Sequence, residues 1–428
     1  MARTIEDSSS GLKATRRRLL TGAGAGVALL AASHSDAHGV STGRVCNVMD
    51  HGVTNDGADC TAALRAVLAN PSFDVFYFPA GQYRLTGAAI NGAALTRSNQ
   101  SLIVMGDGQQ ATQLIWQPSS GGSTDTFIQW STTRTTTSYD RFEIHDITLR
   151  AERAVGNAIF ATKSATFPPQ VRQQALLENV EIISTPETAG YFVRGVYFEG
   201  LENCKMNGVT VGYYTGIAGT TGIEISSAAG ATSVSMAQLH QIAVFNSEIG
   251  VKFSGYEQGL MLADSNICNC GIAVFTPLTP DGFPGLNIRG CHLSAWYVAI
   301  GIHSMVQAMI TDNLIYLIPD NAHPQSLMIG VHTGVTTFGA TNKDVTFSNN
   351  QILYVVPQAV NFVPTTWGVY VAATPGNETV LVAQNMFSGL TVGVQMDGGS
   401  NGAFVANTNR YRSCGTNVVN GGANTVQP

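Results

Sequence analysis

Between residues 195 and 274 one four-residue phrase returns four times: Gly195-Val196-Tyr197-Phe198, Gly222-Ile223-Glu224-Ile225, Gly250-Val251-Lys252-Phe253 and Gly271-Ile272-Ala273-Val274. It comes back as Gly368-Val369-Tyr370-Val371 and Gly393-Val394-Gln395-Met396, with looser copies Gly301-Ile302-His303-Ser304 and Gly330-Val331-His332-Thr333 in between. Successive glycines lie 21 to 38 residues apart. That irregular period suits coils carrying loops of different length rather than a repeat of fixed size. Within each of the six stricter phrases two apolar residues flank a free one, the two-residue alternation of a strand buried on one face, while the looser copies put Ser304 and Thr333 in the last place. No such coil can bury its apolar face alone, so about ten of them stacked as a solenoid share one core.

Stacking turns sequence positions into columns. Parallel strands lie about 4.8 Å apart, so the outward third residue of every phrase joins a vertical row. In chain order this row reads Tyr197, Glu224, Lys252, Ala273, His303, His332, Tyr370 and Gln395, with a parallel row two residues on that contains Glu199, Ser226, Ser254 and Asp397. A second mark, an Asn or Asp before an apolar residue, recurs at Asp146-Ile147, Asn179-Val180, Asn266-Ile267, Asn313-Leu314 and Asn385-Met386, with Asn349-Asn350 in a similar place. These amides read as a structural ladder at a tight turn. Loops that could wall a groove are expected at 131–138, 161–174, 319–325, 334–343 and 356–366.

Upstream, GVTNDGAD at 52–59 is rich in turn formers. Asp59 stands where an N-cap belongs, before Ala63, Leu64, Val67 and Leu68 on one face of a short helix. FYFPAGQYRL at 76–85 reads as strand, turn, strand, and LIVMGDG at 102–108 as a strand closed by a glycine turn. These residues resemble the N-terminal segment of the pectate lyase-like superfamily, in the form shared by rhamnogalacturonases and phage tailspikes. The resemblance implies an all-β fold, a single-stranded right-handed parallel β-helix with a short N-terminal capping helix. It places the cap and first coils at 45–108 and the main coils at 140–428, and it makes the acids of the cap structural. It also implies a polysaccharide as substrate or ligand and leaves oligomerisation open, since tailspike relatives are trimers and lyases monomers.

Composition narrows the setting. Thr15-Arg16-Arg17-Arg18-Leu19-Leu20 and the apolar run at 22–32 resemble a twin-arginine export signal ending near Ser35-Asp36-Ala37. Residues 1–37 are therefore expected to be removed, leaving 38–428 as one β-helix domain in the periplasm or outside the cell. The apolar run is far shorter than the roughly 20 residues that span a bilayer, so no stable membrane anchor is expected. Without those residues the chain carries 17 basic and 25 acidic side chains, a net charge of −8. Such a body disfavours nucleic acid and anionic membrane as partners. Seven cysteines cannot all pair, and a protein folded before export has no disulfide framework to rely on. Cys268, Cys270, Cys291 and His292 read first as small buried fillers and only second as a soft metal site.

The two rows hold the chemistry. In a lyase, Lys252 or a histidine takes the proton beside a uronate carboxyl, Glu224 holds a cation such as Ca²⁺ against that carboxylate, and Tyr370 or a histidine assists the leaving oxygen. In an inverting hydrolase, Glu199 and Glu224 are acid and base, one coil apart and roughly 8 Å between backbones. Tyr197, Tyr370, Gln395 and Asp397 are the expected sugar contacts, and no cofactor is required. A glycan-modifying epimerase and a non-catalytic glycan-binding or surface protein are the other readings. There is no nucleotide-binding glycine loop, zincin motif or nucleophile elbow.

Overall fold

The computed structural model describes residues 45–428 apart from 90, 120–121, 123, 134–139, 164–173, 186–188, 202, 228–234, 256, 278–282, 304, 335–341, 357–359, 373–377 and 399. The export signal and its cleavage site lie outside the described residues, as do Ser304, most of three of the five expected loops and part of a fourth.

The chain winds as a right-handed parallel β-helix with three walls. The first wall begins with Val45–Asn47, Val75–Phe78 and Leu102–Gly106 and ends with Asn401–Val405 and Ala423–Val426. Asp56–Asp59, Gly81–Thr86 and Thr112–Gln117 open the second, which closes with Met386–Ser388 and Arg410–Arg412. A third runs from Ala93–Ser98 and Thr126–Thr132 to Val392–Met396 and Thr416–Asn420. In mid-molecule a single long strand serves two walls, as Ala243–Ser254 does by pairing through Ala243 to Phe245 on the second and through Ile249 to Ser254 on the third.

The corner between the first and second walls takes two residues. The leading one adopts the left-handed helical conformation and the next is buried, as at Asp146-Ile147, Asn179-Val180, Gln241-Ile242, Asp264-Ser265, Asp312-Asn313, Asn349-Asn350 and Gln384-Asn385. Asn and Asp tolerate that conformation because their short side chains can bond locally. The buried amides form a true ladder: Asn313 Nδ2 donates to Asn350 Oδ1 (2.9 Å), Asn350 Nδ2 to Asn385 Oδ1 (3.0 Å) and Asn385 Nδ2 to Asn409 Oδ1 (3.1 Å). The Asn/Asp mark in the sequence thus merged two neighbouring positions. Asp146 and Asn179 are corner residues, Asn313 and Asn385 are ladder rungs, and at Asn266 the buried corner position belongs to the preceding Ser265.

The phrase glycines also form a column. A Cβ on Gly195, Gly222, Gly330 or Gly368 would stand 2.4–2.6 Å from a carbonyl oxygen of the next coil, too close for any side chain. Inside, aromatic rings stack on one another across walls and coils, with Trp116 on Phe127, Phe127 on Phe192 and Trp130 on Phe142. At the N-terminal end the helix Thr61–Ala69 buries Leu64, Val67 and Leu68. Its N-cap is Cys60, yet Asp59 does the capping chemistry, accepting from Thr61 N and Oγ1 and from Thr86 N. Burial opposes charge there, but these bonds prevail and hold the Asp59 carboxyl at about 2. Arg97, almost wholly buried, donates to the carbonyls of Leu68, Asn70 and Phe73 and so ties the helix C-terminus to the first coils.

Candidate active site

The third wall carries the expected row, with two corrections. The register runs Phe160, Tyr197, Glu224, Lys252, Phe275, Gly301, His332, Tyr370, Gln395. Ala273 is therefore not outward. It is buried in the glycine column, where a Cβ on Gly250 would meet its carbonyl oxygen at 2.5 Å, and Ala299 takes the same place one coil on. Ala273 and Ala299 fill the column position at these two coils, so the phrases at Gly271 and Gly301 are each out of step by two. His303 consequently belongs to the second row, beside Glu199, Ser226, Ser254 and Asp397, and Gly301 leaves its ring room to turn back over the first.

Two groups occupy this strip. The first is charged. Glu224 is buried, and its Oε1 accepts from Lys252 Nζ (2.8 Å) and Ser254 Oγ (3.2 Å). Arg194 Nε lies 2.9 Å from Oε2, within ion-pair reach but out of line for a hydrogen bond, which leaves that oxygen without a donor. The Arg194 guanidinium also lies 4.7 Å over the Tyr197 ring, itself stacked on Phe160 at 5.0 Å. Tyr197 donates its hydroxyl to Glu199 Oε1 (3.1 Å), whose other oxygen accepts from Thr162 Oγ1 (3.2 Å). Burial first, then the charges of Glu199 and Glu224, raise the Tyr197 phenol far above its ordinary range, so it stays protonated.

The second group is aromatic and uncharged. Phe275 meets His303 edge-on at 5.0 Å, His303 meets His332 edge-on at 5.2 Å, His332 stacks on Tyr370 at 4.9 Å, and Trp367 tilts against Tyr370 at 4.8 Å. Tyr370 donates its hydroxyl to Asp397 Oδ2. Burial, helped by the neighbouring imidazole, pushes His332 down to about 4, and burial also lowers His303. Both rings are thus neutral at ordinary pH.

Lys252 and His332 stand three coils apart, about 14 Å at the strand spacing, so they cannot act on one sugar unit. That separates the Lys252, Glu224 and histidine roles expected of one lyase centre. Calcium at Glu224 does not fit either, because calcium takes six to eight oxygen ligands and this carboxylate faces two cationic side chains. Sequence reading missed Arg194, Trp367 and Phe275. Arg194 and Trp367 share the position just before the column glycine, and Phe275 was hidden by the register slip. Cys268 Sγ lies 3.9 Å from His292 Nδ1, and among the described residues no group of three or more His, Cys, Asp or Glu could hold a metal. All seven cysteines are free.

Residues 45–275 match the model of the rhamnogalacturonase A/epimerase, pectate lyase-like family, a stretch holding the capping helix, the first coils and the whole charged group. The chain belongs to this family. Comparison with the curated proteins finds no match. Among solved structures, the Agl-KA catalytic domain is similar at 14% identity and a TM-score of 0.51, over 91% of this chain and 69% of that one. The catalytic domain of a GH87 α-1,3-glucanase, solved with tetrasaccharides, is similar at 11% identity and a TM-score of 0.51, over 87% and 65%. The N-terminal fragment of gene product 12 of bacteriophage Phi29 aligns at 10% identity and a TM-score of 0.50, over 90% and 71%. At such identities these likenesses speak for the fold alone. Membership of the rhamnogalacturonase A/epimerase family supports a carbohydrate-active β-helix protein.

Proposed function

We propose that this chain is an exported polysaccharide lyase acting on a uronate unit at the Arg194–Glu224–Lys252 cluster. The observation that carries the reading is the pairing of two cationic side chains, Arg194 and Lys252, around one buried carboxylate beside the Tyr197–Glu199 hydrogen bond. A uronate carboxylate seated against these cations becomes a better electron sink, which makes the neighbouring C5 proton easier to remove. Glu199 accepts that proton, the electron pair forms the C4–C5 double bond, and the C4–O bond breaks. Tyr197, kept protonated by its surroundings, gives its proton to the departing oxygen. Glu199 then returns a proton to Tyr197 along their hydrogen bond, and the cycle closes.

An inverting hydrolase needs one carboxyl group open to the glycosidic oxygen and another open to water. Glu224 serves neither purpose, with Lys252, Ser254 and Arg194 arrayed around its oxygens. The test is a panel of uronate-containing and neutral polysaccharides assayed for ultraviolet absorbance and reducing ends together. Elimination produces both signals. Tyr197→Phe and Glu199→Gln are expected to lower turnover by roughly 10²–10⁴. Reducing ends without absorbance would mean hydrolysis, and full turnover in both variants would remove this centre.

A further inference from the structure

We infer that the ring track Phe275, His303, His332, Trp367 and Tyr370 is a second, separately acting glycan subsite that takes an uncharged sugar ring. The inference rests on the reading of the third wall as a glycan track but not on elimination as its chemistry. Five rings from four coils form one unbroken chain of ring contacts with centroid spacings of 4.8–5.2 Å, all half-buried. Aromatic faces of this kind hold the C–H faces of sugars, while a polar tip fixes the orientation of the ligand.

The surface offers that polar tip without a charge. Among the described residues no hydrogen bond engages the ring nitrogens of His303 or His332, so both are open to sugar hydroxyls as donor or acceptor. Asp397, the carboxylate at this end, already receives the Tyr370 hydroxyl. A uronate gains nothing here, because it would lose hydration against neutral rings that, among the described residues, make no contact with a cationic side chain. The nearest cationic side chain in the row is Lys252, three coils from His332 and about 14 Å away. The strip therefore reads two features of a chain at a fixed separation, an anionic unit at Arg194 and Lys252 and a neutral unit at His332 and Tyr370.

The experiment measures binding, by calorimetry, of neutral gluco-, manno-, xylo- and galacto-oligosaccharides and of a uronate oligosaccharide. The full chain is compared with Trp367→Ala, His332→Gln and Lys252→Ala, each checked by thermal unfolding. Expected is at least one neutral oligosaccharide bound by the parent protein, weakened roughly tenfold by Trp367→Ala or His332→Gln and unchanged by Lys252→Ala. Lys252→Ala should weaken only the uronate ligand. Absence of neutral binding in the parent, or neutral binding as tight in both ring variants as in the parent, overturns the subsite. Should Trp367→Ala misfold, His332→Gln decides. Failure of elimination with neutral binding intact would strike the lyase reading and leave this one standing.

Discussion

Glu224 shows how burial reassigns a residue. A carboxylate with 6% of its side chain exposed cannot meet a polymer in the groove, yet it fixes two long cations that can. Lys252 and Arg194 are mobile by nature, and each loses rotamer freedom when held, so a buried anion between them is what preorganises a carboxylate seat. In the proposed reaction its role is positioning. Removing one member of a buried ion pair leaves the others uncompensated, but here both cations are partly exposed and can regain water. Glu224→Gln is accordingly expected to cost about 1–3 kcal/mol in urea unfolding, less than a fully buried pair would. It should also raise KM for a uronate substrate more than it lowers kcat. A loss confined to kcat would show that Glu224 acts on the reacting atoms instead.

At the scale of the element, the coil is specified by its corners. Asn350 donates to Asn385 Oδ1 and to the Ile310 carbonyl, while its own Oδ1 accepts from Asn313 N and Nδ2. Replacing it with leucine keeps the volume but removes four hydrogen bonds and takes from buried Asn313 N its acceptor and from the Ile310 carbonyl its amide donor. The expected loss is about 3 kcal/mol, read as a lower urea midpoint at unchanged slope. Asp312→Asn, at the exposed corner just before the ladder, should cost little, because both residue types tolerate the left-handed corner. The phrases and the amides were legible because each obeys a period. Trp367 and Arg194 were not, because the alternation skips a beat where Gly195 and Val196 are both buried and the chain bends. That bend turns outward a position which strict alternation assigns inward. Ala273 and Ala299 escaped notice for a related reason: the column demands smallness, and glycine is only its commonest answer.

For the molecule as a whole, a solenoid converts coil number into distance, and this decides what one glycan can touch. From Tyr197 to Gln395 the row crosses seven coil spacings, about 34 Å, long enough for several sugar units side by side with the wall. The stacking itself could be read from the phrases, whereas the division into a charged end and a neutral end depended on which residues share a coil. If both ends grip one chain, binding energy from the distant rings is available to the reacting unit, and truncated substrates forfeit it. Among oligosaccharides of rising length, kcat/KM should step up once the chain spans the four coils from Lys252 to Tyr370, about 19 Å. The step should be roughly tenfold, a stacking contact's worth, and should vanish in Trp367→Ala while short substrates react as before. A smooth rise with length, identical in parent and variant, would mean that the two ends do not hold the same chain.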